Sequence, residues 1–480
     1  MMNPLGLSNL ESALTRDLAM LGYPHRDWIP PRNHQDKEIL DVLIVGAGQS
    51  GLSACFALMR EKVNRILVVD EKPAGKEGPW RDFARMVTLR TPKHVTGPDL
   101  GIPNLTFQAW YEAQYGAEAW TALKLIPKEL WADYLAWYRR FLALPVRNSV
   151  KVLSIDWNPE ARAWAVAIAA SAAVVAAAGA GAQAAAPAET LSARKVILAT
   201  GIDGAGRWEV PPEVAAIPKE FWAHTHEAID FSSLAGKKVG VLGAGASAFD
   251  NAATALEAGA EVALFFRREK LVDVNPYRWA EFTGFLKHHA DLDDGQKWKF
   301  IVQFLKMGQL PPADTLARAQ RHPGFSLHPG SPWKEVQAAG HKVRVTTQKG
   351  VFDFDFLVIG TGFVTDLGLR PELAAVRDKI ALWADRFTPP DEWRFEGLGR
   401  HPYLGGGGQF IPKLRDTDPW ISSLFCYTYA GLPSLGFAGA FISGLKYSLP
   451  KLVDEVTRQL YREDAEVFFA GLEAYDVKEF

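Results

Sequence analysis

Two short glycine turns in this chain have the residue types and spacing that hold a pyrophosphate. The first is Gly46-Ala47-Gly48-Gln49-Ser50-Gly51. It follows the apolar run Val42-Leu43-Ile44-Val45 and opens a helical stretch that reaches about Arg60. In such a turn the first glycine permits the tight bend, and the second lets phosphate approach the backbone. The third position sets how closely helix packs on strand, and the helix N-terminus faces the phosphate charge. A second apolar run, Ile66 to Val69, ends at Asp70-Glu71. Glu71 stands twenty residues past Gly51, where a carboxylate accepts from an adenosine ribose diol. A solvated acid at a strand end is the alternative, and the complete strand–turn–helix–strand context argues against it.

The second turn is Gly243-Ala244-Gly245-Ala246-Ser247-Ala248, between the strand Lys238–Leu242 and a helix to about Ala258. A further strand, Val262 to Phe266, follows. Counting twenty-five residues from each first glycine reaches Glu71 in one unit and Arg268 in the other, with Arg267 beside it. A guanidinium fork suits a ribose 2′-phosphate, and a pair of surface arginines is the alternative. Alanine at the third position suits slightly wider helix–strand packing. The first site is therefore expected to take a dinucleotide without that phosphate, and the second to prefer NADPH. Two such sites in one chain imply hydride transfer between two cofactors, of which a flavin and a nicotinamide are the natural pair.

The elements that position these turns repeat. Each unit is followed, much later, by a short apolar strand ending in Thr-Gly. These are Lys195 to Gly201, with Ala199-Thr200-Gly201 at its end, and Phe356 to Gly362, with Gly360-Thr361-Gly362. The expected fold is α/β, with two Rossmann-like dinucleotide-binding domains and the second inserted in the first. An N-terminal extension occupies 1–37, where Ser8 would cap a short helix to about Leu21. The first domain covers 38–215 and resumes over 350–480, ending in a helix with Leu445, Leu449, Leu452 and Val456 on one face. The second covers 216–349, with a helical insertion at 275–345. A hairpin from about Trp164 to Val175, followed by a floppy loop, is expected in the alanine-rich region.

Composition removes several function classes. The 480 residues carry 53 Lys and Arg against 55 Asp and Glu, a net charge of −2. That balance offers no electrostatic footprint for nucleic acid or an acidic membrane surface. The 26 uncharged residues between Arg162 and Glu189 are long enough to span a bilayer, but alanine gains little from lipid. Glu11, Arg16 and Asp17 interrupt any signal-peptide core at the start. With only Cys55 and Cys426, neither a disulfide framework, a dithiol redox pair nor a metal centre is expected, and the compartment reads as reducing cytoplasm.

Together these residues resemble the class B flavin monooxygenases, over roughly residues 38–450. Gly46, Gly48 and Gly51 match the family's FAD fingerprint. Gly78-Pro79-Trp80 is similar to its Gly-Gly-x-Trp, with proline at the second glycine, which implies that Trp80 lies beside the flavin. The two Thr-Gly strand ends match as well. The resemblance implies that NADPH reduces FAD, that O2 adds at flavin C4a, and that one oxygen atom passes to a small organic substrate. Arg90, in Thr88 to His94, would stabilise the peroxide anion needed for attack on a carbonyl. It tilts the expectation slightly to Baeyer–Villiger chemistry over N- or S-oxygenation. A structural arginine or a pyrophosphate contact is the alternative, and His94 is the second catalytic candidate. The family's linker histidine position holds Glu227, with His226 one residue early and Ala223 where a glycine is usual. A flavin oxidoreductase without oxygen insertion is the competing reading, and a non-catalytic flavin or NADPH sensor the third. Specificity is expected from 275–345 and from 403–439. There Tyr403 to Gly408 reads as a loop or lid, and Gly436 to Gly439 as the approach of the last helix to the flavin. A homodimer is compatible with all of this.

Overall fold

The structure is a computed structural model and describes residues 6–24, 26–95, 97–172, 187–414 and 416–480. The run that precedes the first glycine turn becomes the strand Lys37–Val45. It sits between Ile66–Val69 and Glu189–Leu198 in parallel register. Val42, Leu43 and Ile44 are fully buried, as expected of a central parallel strand covered on both faces. The sheet of the described residues continues through Ala163–Ala170 to Val150–Asn158, antiparallel, and Leu424–Cys426 joins the other end of Glu189–Leu198. The Gln49–Arg60 helix and the long Ile442–Glu463 helix lie side by side on one face. Leu445, Leu449, Leu452 and Val456 are buried there as the spacing predicts.

A second sheet holds the second turn. Its order is Phe325–His328, Glu261–Phe265, Lys238–Leu242, Phe356–Ile359 and Trp222–His224, all parallel. Two corrections follow. Phe356–Ile359 pairs with Lys238–Leu242, so the second domain keeps residues that the expected return at 350 gave to the first. The helical character of 275–345 ends at Gln320, after the helices Pro276–Trp279, Thr283–His288, Asp294–Met307 and Ala313–Gln320. Beyond it, Glu335–Ala339, Lys342–Thr347 and Gly350–Phe354 form an antiparallel meander. Val343, Val345 and Phe354 pack with Leu357 and Ile359, so the alternate apolar residues cover the free face of the second sheet.

The two chain crossings between domains pair with each other, Gly206–Trp208 against Phe363–Thr365. The insertion helices do not stand alone. Phe285, Trp298 and Phe304 share a core with Trp383, Leu432 and Phe437 of the returning first domain. Tyr403 to Gly408 is no lid. A Cβ on Gly407 would lie 2.4 Å from Glu455 Cβ on the long helix, so the turn is packed down. The N-terminal helix is Leu7–Met20 with Gly6, not Ser8, at its cap, because Gly6 N donates to Ala113 O at 2.8 Å and turns the chain earlier. The end of the expected hairpin at Val175 and its loop lie outside the described residues. Among the described residues no helix is long and apolar enough to cross a membrane.

Candidate cofactor site

The first turn is built on contacts that tolerate only glycine. Gly46 has φ 104°, and a Cβ there would meet Ala199 O at 2.6 Å. A Cβ on Gly51 would lie 1.8 Å from Gly46 O, so the helix enters with its backbone on the turn. No side chain caps that helix at Gly48, which leaves its N-terminal amides to an anion. Ser50 Oγ donates to Gly439 O at 2.6 Å and thereby fixes the approach of the Ile442–Glu463 helix.

Gly48 and Gly78 face each other, each 3.9 Å from where the other's Cβ would be. Beside them the Trp80 ring is buried and its indole N–H has no hydrogen-bond partner. Trp131 Nε1 donates to Gln49 Oε1 at 3.3 Å and its ring meets Trp80 edge-on. A cleft of about 520 Å³ opens at this place between Ala47, Leu52, Gly75, Trp80 and Arg139. A glycine cradle with uncapped amides and an orphaned indole donor fits the phosphates and a polar ring edge of FAD.

The acid that faces the turn is Asp70, not Glu71. Asp70 is buried, with Oδ2 accepting from Ala47 N at 2.7 Å and Oδ1 from Lys72 N at 2.8 Å. Burial pushes its carboxyl above the usual range. Glu71 is half exposed and lies 3.4 Å from Lys151.

The second turn repeats the design with one change. Gly243 has φ 129°, and a Cβ there would meet Gly360 O at 2.3 Å. The methyl of Ala248 is accommodated because Gly360 lacks one: a Cβ on Gly360 would come 2.8 Å from it. Ala246 is buried at the helix start and Ser247 is exposed. Thr200 and Thr361 stand at matching strand ends, followed by Gly201 at φ 64° and Gly362 at φ 91°, and Thr361 Oγ1 donates to Glu209 O.

The arginine pair divides. Arg268 Nη1 donates to Met307 O at 3.0 Å and Nη2 to Lys306 O at 3.4 Å, so it caps the Asp294–Met307 helix. Arg267 is exposed at the strand tip. Arg267→Ala should therefore raise the KM for NADPH about tenfold over its effect on NADH. Arg268→Ala should lower stability by about 1 kcal/mol and leave the NADPH-to-NADH ratio alone. Steady-state kinetics with both nucleotides decide it: equal effects on the two cofactors by Arg267→Ala would remove the 2′-phosphate assignment.

Arg90 reaches across to an acid of the second domain, and its Nε is buried with no hydrogen-bond partner. Its Nη2 lies 2.7 Å from Oδ2 of Asp250, a buried residue of the second turn's helix that also accepts from Thr315 Oγ1 at 2.9 Å. The pair clamps the first domain's loop to the second domain. His94 is exposed on a turn. The linker departure also has a structural reason. Glu227 accepts from His224 N at 3.0 Å and pairs with Lys219 at 2.7 Å, while His226 Nδ1 lies 2.8 Å from His224 Nδ1 and stacks on Trp208. Burial and the neighbouring imidazole hold His224 down to about 4. Asp250, Trp208 and His224 were not singled out from sequence, since each acquires its partner only through the fold.

Comparison with known proteins agrees with this geometry. The FAD-NAD(P)-binding family matches residues 43–203. The FAD-dependent urate hydroxylase of Xanthomonas campestris pv. campestris is 45% identical over 478 residues, covering 99% of this chain and 98% of that one. The reduced form of ornithine hydroxylase from Pseudomonas aeruginosa superposes with a TM-score of 0.66 at 14% identity, over 88% of this chain and 100% of that one. L-Lysine 6-monooxygenase from Pseudomonas syringae gives 0.65 at 15% identity, over 87% and 99%. At such identities the two structures establish the shared fold. With two dinucleotide turns in one two-domain frame and a relative matched from end to end, this chain belongs to the class B flavoprotein monooxygenases.

Proposed function

We propose that this enzyme hydroxylates urate, taking its reducing equivalents from NADPH and one oxygen atom from O2. The observation that carries the reading is the 45% identity to a urate hydroxylase across nearly the whole of both chains. FAD and NADPH are the cofactors. Bound FAD supplies hydride acceptance and the activation of O2, which no side chain can provide. The chain's own residues do the rest. Gly48 and Gly78 would bring backbone to the pyrophosphate, Asp70 and Glu71 would stand at the adenosine ribose, Trp80 Nε1 would donate to the cofactor, and Arg267 would receive the NADPH phosphate.

Water exclusion falls to the interdomain contacts. Arg90–Asp250 is one, and Arg85 Nη2 donating to Glu227 O at 3.2 Å is another. Carbonyl insertion, the finer expectation from sequence, has less support than hydroxylation, because the relative matched from end to end is a urate hydroxylase. Dithiol chemistry has no group to use: Cys55 and Cys426 are both buried, and burial pushes the Cys55 thiol up to about 12.

The balance is urate, NADPH, a proton and O2 giving hydroxylated urate, NADP+ and water. Under isotopically labelled O2, the FAD-loaded enzyme should consume one NADPH per urate lost and place one labelled oxygen in the product. NADPH consumption that ends wholly as hydrogen peroxide, with urate intact, would overturn the reading.

A further inference from the structure

A stack of aromatic rings runs from the insertion to the two Thr-Gly strand ends. Tyr277, on the insertion, lies over Phe437 with centroids 5.2 Å apart and planes 23° apart. Phe437 stacks on Phe441 at 4.7 Å and 20°, and Tyr429 follows at 5.8 Å and 35° from Phe441. Gly439, between the two phenylalanines, is the residue that accepts from Ser50 of the first turn. Tyr429 N donates to Gly201 O at 3.1 Å, at the first Thr-Gly strand end. The Tyr429 ring meets Phe363 edge-on at 4.8 Å, next to the second Thr-Gly strand end. The stack thus reaches both strand ends and the insertion, and the loop between its two phenylalanines holds the first glycine turn through Gly439. Those strand ends and the first turn's neighbourhood are where a bound flavin and nicotinamide must approach each other.

The two ends of the stack are phenols. Both side chains are half-buried, and among the described residues neither the Tyr277 nor the Tyr429 hydroxyl has a hydrogen-bond partner within the protein. Burial raises both groups above the usual phenol range, so both stay protonated and donate. Both rings neighbour Phe441, with centroids 6.5 Å from it for Tyr277 and 5.8 Å for Tyr429.

We propose that Tyr277 and Tyr429 are the substrate-recognition pair, gripping a flat heterocycle by hydrogen bonds from both hydroxyls to its carbonyl oxygens or ring nitrogens while its face lies on the aromatic stack. The proposal rests on the hydroxylase reading above and names the residues of that site. Urate has the required shape: a planar ring system with acceptors on its edges. An aromatic slot alone would hold any flat ring, whereas two paired donors reject one that lacks acceptors, because both phenols would then stay unpaired.

Tyr277→Phe, Tyr429→Phe and the double variant test this while keeping the rings and their packing. Urate is titrated into FAD-loaded enzyme without NADPH and followed by calorimetry, with FAD content and apparent Tm measured alongside. Each single variant should weaken urate binding about tenfold and the double variant further, with FAD content and Tm at wild-type values. Wild-type affinity in the double variant overturns the pair. If the wild type binds urate through the tyrosines but transfers no oxygen to it, the functional reading falls and the pair stands. If the wild type binds no urate, xanthine and uracil are titrated in the same way. A heterocycle held by the wild type and lost in the double variant upholds the pair, and binding of none of them overturns it.

Discussion

Gly51→Ala should yield protein that retains little FAD and unfolds well below the wild type. The added methyl would sit 1.8 Å from Gly46 O, deep inside any contact distance, and the atom it meets is backbone. Gly46 cannot retreat, because its own position is set against Ala199 O, 2.6 Å from where its Cβ would be. The helix must move instead, and every residue from Gln49 to Leu58 is buried against its neighbours. Overpacking of this kind costs about 3 kcal/mol or more, and the shift also carries the helix amides away from the phosphates. The second turn supplies the control. Ala248 occupies the matching third position and has room because residue 360 is glycine. Ala248→Gly should cost only about 1 kcal/mol, the helix preference for alanine, and leave FAD untouched. The ratio of bound flavin to protein, with apparent Tm, reads both variants. A Gly51→Ala protein purified with a full complement of FAD would show that the turn does not depend on that contact.

The same comparison explains what could be read from the sequence. Glycine turns are legible because no other residue fits a positive φ with backbone on both sides, so Gly46 and Gly243 announce themselves. The strand end Gly360-Thr361-Gly362 carries glycine where Ala199-Thr200-Gly201 carries alanine. It is the counterpart of the alanine at 248, a steric exchange visible only when the two segments meet. Counting gives a position and no direction. Twenty residues from Gly51 leads to Glu71, but the strand turns Asp70 toward Ala47 and Glu71 toward Lys151. Equal spacing also could not separate Arg267 from Arg268, because the carbonyls that occupy Arg268 come from a helix some forty residues on. Arg90 and Asp250 lie 160 residues apart in the chain, and an ion pair across that distance leaves no local pattern. The aromatic stack is hidden for the same reason: its members come from the insertion and the return, and they meet only where the two pack on one core.

Removing Arg194 should have the second large effect, because it holds the far end of the helix that reaches the first turn. Arg194 is fully buried, 2.8 Å from Asp464, 2.9 Å from Glu463 and 3.8 Å from Asp41. Lys195 joins Glu463 at 2.5 Å, Arg32 joins Asp464 at 2.5 Å, and Arg65 joins Asp41 at 3.0 Å. Arg194 Nη2 also donates to Leu460 O at 3.4 Å, in the last turn of the Ile442–Glu463 helix, where a cation is favoured. Arg194→Met keeps the volume and leaves buried carboxylates short of charge, which costs about 3–5 kcal/mol. Asp41 already shows the strain, since burial raises its carboxyl above the usual range even with Arg65 and Arg194 beside it. Without Arg194 its folded pKa rises further. A group raised in the folded state contributes stability below its unfolded pKa and loses it as pH rises through the folded value. The gap in Tm between wild type and variant should therefore be widest at neutral pH and narrow as pH falls toward that of a free carboxyl. Adding Asp464→Leu to Arg194→Met should recover part of the loss, since it removes a carboxylate left behind. A gap that stays constant with pH, or a single variant as stable as the wild type, would mean that the network does not hold the helix. Its N-terminal approach to Ser50 would then rest on apolar packing along Leu445, Leu449 and Leu452 alone.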